Sequence, residues 1–101
     1  MSITRNRFNQ LIKNKKYIKE ISFTPTVITL LAFLANAYSQ LNDKDRMLSS
    51  VRKCLDALND TDQSSAKLFG LAFCAKALQS YDMYDDALPL IEQAYQINQD
   101  L

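Results

Sequence analysis

Histidine is absent from this 101-residue chain. The commonest general base and the commonest metal ligand are therefore missing. Glycine occurs once and proline twice, which weighs against an all-β fold, since that class needs turn chemistry every few residues. The two cysteines, Cys54 and Cys74, belong to no C-x-x-C, and each falls on an apolar helical pattern. Such a pattern reads as two buried, reduced thiols acting as small hydrophobes rather than as a disulfide or metal site. A reducing compartment follows, and cytoplasmic is the expected location. A membrane span needs about 20 apolar residues, whereas the longest run, Val27 to Ala35, is short and interrupted by Thr29. No apolar stretch of the secretory-signal kind follows the basic start. A mitochondrial transit peptide is the competing reading of that start, against which Phe8, Leu11, Ile12, Ile18 and Ile21 pattern as a packing face.

Basic residues are missing from Ala77 onward, where Asp82, Asp85, Asp86, Glu92 and Asp100 give a net charge of −5. Residues 1–20 carry Arg5, Arg7, Lys13, Lys15, Lys16 and Lys19 against Glu20, a net of +5. A chain so polarised can dock head to tail or steer an oppositely charged partner. The alternative is that both ends are solvated faces.

What the sequence has in abundance is apolar residues at helical spacing. The length bounds a single domain with 48% hydrophobic and 23% charged residues, ordinary for a globular protein. Five helices are predicted. The first runs from about Thr4 to Glu20, with Phe8, Leu11, Ile12, Ile18 and Ile21 on one face. The second follows Thr24-Pro25, an N-cap and first-turn pair, and reaches about Leu41. The third starts at Asn42 or Asp43 and ends near Leu58. The fourth spans about Ser64 to Gln79, and the fifth about Tyr84 to Asn98. Pro89 lies inside the fifth, so a kink or a late start is expected there. Small residues occupy the positions where helices would cross, at Ala75, Ala87 and Ala94, allowing axes to approach to about 8 Å.

The fourth and fifth helices resemble a tetratricopeptide repeat. Leu71, Cys74-Ala75 and Leu78 match the large, Leu-Gly and Tyr positions of its first helix, and Ala87 and Ile91 match the Ala and Phe of its second. A weaker copy lies upstream in Leu31, Leu34-Ala35, Tyr38, Met47, Val51 and Cys54. Met47 and Ala87 stand 40 positions apart. The family period is about 34, which places an insertion of about six residues in the polar stretch Asn59 to Ser64. The organisation read from this is one all-α domain: a basic helix over 1–22, a degenerate repeat over 24–58 and a better-matching repeat over 64–98. The first helix would cap the stack, because repeats expose apolar ends.

The resemblance implies a groove, lined by the first helix of each hairpin, that receives a partner's peptide or helix. Carried onto this chain, the partner-binding positions are Thr29, Ala32, Phe33, Asn36 and Gln40, with Phe69, Ala72, Phe73, Lys76 and Gln79. Phe33, Phe69 and Phe73 read either as an apolar docking surface or as core. Ala32 takes the place of a lysine that carboxylate-clamping members of the family need, so an amphipathic helix is the expected occupant. The implied role is an adaptor or chaperone, and in size and architecture the chain is similar to small chaperones of type III secretion. Fewer than three repeats are marginal alone, so self-association or an obligate protein partner is expected. Thr26 to Leu31 also resembles the opening of pentatricopeptide repeats, which bind single-stranded RNA. Leu31 stands where that family reads a base, and the acidic C-terminal third would repel phosphate. No nucleophile–base set, metal cluster or phosphate loop is visible. An enzyme, a cofactor and a membrane role are not expected.

Overall fold

The computed structural model describes residues 3–14 and 27–100. The elements among them are α1 (Ile3–Asn14), α2 (Val27–Gln40), α3 (Lys44–Leu58), α4 (Ser64–Gln79) and α5 (Tyr84–Asp100). The fold is all-α. The expected reach of the first helix to Glu20, with Ile18 and Ile21, and the Thr24-Pro25 start lie outside the described residues.

Local chemistry accounts for the bounds. Asp43 caps α3, its Oδ1 accepting from the Arg46 amide at 3.2 Å, which satisfies one of the first-turn donors a helix leaves open. The polar stretch 59–63 separates α3 from α4, with Ser64 as the first residue of α4. Helix α5 runs through Pro89 and starts at Tyr84 rather than late. Pro89 is exposed, so the carbonyl its missing N–H leaves unbonded lies on the side of the helix where water can reach it.

Two turns have the same geometry. Asn42 and Asp82 both hold φ at 57°, a left-handed conformation that Asn and Asp tolerate better than other non-glycine residues. After each, an amide bonds back to the helix just ended. Asp43 N donates to Tyr38 O at 2.9 Å, and Met83 N to Leu78 O at 3.1 Å. This six-to-one closure is the Schellman pattern. The two turns stand 40 positions apart, as Met47 and Ala87 do.

The helices α2/α3 and α4/α5 form two antiparallel hairpins, and α4 is central, packing on α2, α3 and α5. Its buried residues, including Leu68, Gly70, Leu71, Cys74, Ala75 and Leu78, fall around most of its circumference, as expected of a helix surrounded by others. Ala35, Ala75, Ala87 and Ala94 are fully buried at the crossings. Gly70 marks the tightest approach. A Cβ there would lie 2.7 Å from Ile28 Cγ2 and 3.1 Å from Leu58 Cδ2, closer than packed carbons tolerate.

Helix α1 docks on α5 and runs parallel to it. Phe8 is fully buried, with its ring edge-on to Tyr84 at 5.6 Å between centroids. The Arg5 guanidinium lies 5.5 Å from the Tyr84 ring centre, and Arg7 Nε pairs with Glu92 Oε2 at 3.0 Å. Leu11 faces Tyr95 and Gln99 further along. The basic helix thus lies on the acidic one within a single chain. It covers the second hairpin, not the first, which it precedes in sequence.

Candidate partner-binding face

Helices α2 and α4 run parallel, so equivalent residues of the two hairpins come side by side. Phe33 stands beside both Phe69, at 5.3 Å, and Phe73, at 5.9 Å. Phe69 and Phe73 are stacked at 4.3 Å. Offset and edge-on geometries of this kind are the favoured arrangements of aromatic rings. The three phenylalanines therefore form one cluster, graded from inside to outside. Phe69 is 9% exposed, Phe73 is half-buried, and Phe33 is 43% exposed.

Polar residues pin this cluster. Asn36 Nδ2 donates to Phe73 O at 2.9 Å and to Ala32 O at 3.1 Å, tying α2 to α4 by a side chain bonded to two backbone carbonyls. Lys76 Nζ lies 5.8 Å from the Phe73 ring centre, within cation–π range. At the far end the hydroxyls of Ser39 and Ser80 are hydrogen-bonded to each other. Gln79 Nε2 donates to Asn9 Oδ1 at 3.5 Å, so this residue reaches towards α1.

The proposed groove residues consequently divide. Phe33, Gln40 and Lys76 are exposed, and Asn36, Phe73 and Gln79 are partly covered. Thr29, Ala32, Phe69 and Ala72 are buried and form the floor rather than the contact surface. Spacing places all of them near one helical face, but parallel packing of α2 on α4 turns the inner edge of that face into core.

The cysteines meet in the same core. Cys54 and Cys74 are free and fully buried, and Cys54 Sγ donates to Ile28 O at 3.5 Å. The hydrogen bond between the two thiols pushes Cys74 well above the ordinary thiol range, and burial adds to this. The same bond draws Cys54 down, against the effect of burial. Cys74 is accordingly a neutral packing group, not a nucleophile. Among the described residues no three His, Cys, Asp or Glu side chains gather in a way that could hold a metal ion. No described helix is long and apolar enough to cross a membrane.

Two features were missed by sequence reasoning. One is a groove of about 310 Å³ between α3 and α5, with Leu48, Leu55, Met83 and Leu90 in its lining and Arg52 and Asp86 at its rims. The other is the outer side of α2, where Val27, Leu30 and Leu34, with Leu41 just past the helix end, are 66%, 57%, 44% and 73% exposed. The signal for the second was available, since no charged residue occurs between Glu20 and Asp43. No family model, no curated protein and no solved structure matches this chain.

Proposed function

We propose that this protein is a protein-binding helical module, an adaptor or small chaperone that takes an apolar or amphipathic helix of a partner across the α2/α4 face. One observation carries the reading: Phe33 is 43% exposed at the outer edge of an aromatic cluster whose inner members are already anchored. Aromatic residues, phenylalanine among them, are enriched where proteins bind one another. Gln40 and Lys76 flank it and would set the register of a bound helix by hydrogen bonding to its polar side. The tetratricopeptide resemblance supports the same face, with Phe33, Phe73, Gln40 and Lys76 as the contacting residues and Asn36 as the residue that fixes the shelf.

The RNA reading has no comparable support. Beyond the pentatricopeptide-like stretch it would draw on the cations of the basic first helix, and there Arg7 is paired with Glu92 while Arg5 lies over Tyr84.

The test is affinity purification of the tagged protein from its native host, comparing wild type with Phe33→Ala and with Lys76→Glu. A specific helical protein should co-purify with wild type and be reduced at least about tenfold with Phe33→Ala, equivalent to about 1.4 kcal/mol. Melting temperatures of wild type and Phe33→Ala should agree within a few degrees. Equal recovery with all three proteins would reject this face. Phe69→Ala is unsuitable, because the buried ring would be lost from the core.

A further inference from the structure

Helix α2 carries a second surface, on the side away from the core. Val27, Leu30, Leu34, Ala37 and Leu41 follow one another at spacings of three, four, three and four, which is the spacing of a helix–helix seam. All five are exposed. A helix apolar around its whole circumference belongs in an interior, yet among the described residues α2 has core on one side only.

The second hairpin shows what this stripe is suited to. Shifted by the 40-residue offset of the two turns, Leu30, Leu34 and Ala37 fall on Gly70, Cys74 and Ala77. Those three residues are buried, and the space above Gly70 is filled by Ile28, Cys54 and Leu58 of the first hairpin. The stripe on α2 is thus the counterpart of the surface on which one hairpin stacks upon the next. Here it has no hairpin of this chain before it among the described residues. The other end of the stack is closed, because α1 lies on α5.

We infer that two copies of this chain pair through these stripes about a two-fold axis. Three observations select a second copy as the occupant. With one end of the stack closed by α1, copies cannot add head to tail through α5, whereas two open ends joined to each other give a finished, closed assembly. The stripe itself contains no charge, and the cations beside it, Arg46 and Lys53, line the groove at the α3 edge of Leu34, so the paired residues themselves set no like charges against each other. The exposed fractions of the five residues correspond to roughly 400–500 Å² per copy, so a pair would bury about 800–1,000 Å² from the stripe alone, the size of a weak, transient interface. A dimer of that size is dissociable, with four hairpins stacked across it. The pairing is independent of the α2/α4 face proposed above, since Gln40 and Lys76 stay outside the seam.

Leu34 stands at the middle of the stripe and meets its own copy across the axis. Sedimentation velocity should therefore show wild type passing from monomer to dimer as concentration rises through roughly the micromolar range. Leu34→Glu and Leu34→Lys should each remain monomeric at the highest concentration, with helical circular dichroism unchanged. An equimolar mixture of the two should recover a dimer, because opposite charges then face each other. Leu30→Glu, more exposed than Leu34, serves as the second variant and should also be monomeric and folded. Wild type that stays monomeric throughout, or a dimer that survives both Leu34→Glu and Leu30→Glu, would overturn the inference. So would variants that separate but fail to re-pair on mixing. Wild type that remains monomeric alone but pairs with a host protein through Leu34 would give this surface to a different occupant and also reject the two-fold pair.

Discussion

The two hairpins are built alike and finished differently. Each turns through a left-handed residue, Asn42 or Asp82, and closes with the same backbone bond. At the matching positions of the preceding helices, however, Leu71, Cys74 and Leu78 are buried, whereas Leu31 and Tyr38 are partly covered and Leu34 is 44% exposed. The difference is not in the hairpins but in what lies against them. The second is sandwiched between the first hairpin and α1; among the described residues the first has the second hairpin on one side only. Hydrophobic pattern therefore specifies a packing-competent surface, while the order of elements decides whether that surface is covered within the chain.

The largest expected effect comes from undoing the cover on the second hairpin. Phe8→Ala removes a fully buried ring from the α1/α5 contact and should cost about 3–5 kcal/mol of unfolding free energy, measured in urea. A loss below about 1 kcal/mol would mean that α1 contributes little to the stability of α5. The mid-sized effect lies where the hairpins meet. Gly70→Ala places a methyl group 2.7 Å from Ile28 Cγ2, and overpacking of this kind costs about 1–3 kcal/mol. Alanine's better helix propensity returns about 1 kcal/mol, leaving a net loss of about 1 kcal/mol. The loss should shrink when Ile28→Ala removes Cγ2 in the same protein, as a double-mutant cycle would show. The smallest effect is a gain. Asn42→Gly and Asp82→Gly should each raise stability by about 0.5–1 kcal/mol, because glycine occupies the left-handed region without side-chain strain. If the turns are equivalent the two gains should match. A gain at one turn only would separate hairpins that now look alike.

Much of this architecture is legible in the sequence. The bounds of α3 and α4 follow from Asp43 and from the polar stretch before Ser64, both local signals. The small residues at helix crossings are legible too, since Ala75, Ala87 and Ala94 are buried at the places their spacing indicates. Pro89 does not delay the start of α5, because a missing amide is tolerated where the freed carbonyl reaches water. The proposed binding face is only half legible. Periodicity identifies which residues share a side of α2, but not how far α4 leans over that side, and so it cannot separate Phe33 from Thr29 or Phe69. A capping role for α1 is legible, but not which hairpin it caps. Its charge is complementary to that of α5, yet no local signal says that the partner lies some 85 residues away, as Arg7 and Glu92 do.

That separation has a consequence for how the protein reaches its structure. Each hairpin joins neighbours in sequence, and such local contacts form quickly. The contact of α1 with α5 closes a far larger loop and waits for the last of the described helices to be synthesised. During translation, at about 5–20 residues per second, Phe8 and Leu11 leave the ribosome several seconds before Tyr84 and Tyr95 exist to receive them. In that interval α1 has no docking site on α5, and its one apolar face, with Phe8 and Leu11, is without the cover that α5 later gives it. Completion of the fold is thus timed by the arrival of its most distant element, and a chain interrupted before α5 would present the face of α1 that the finished molecule conceals.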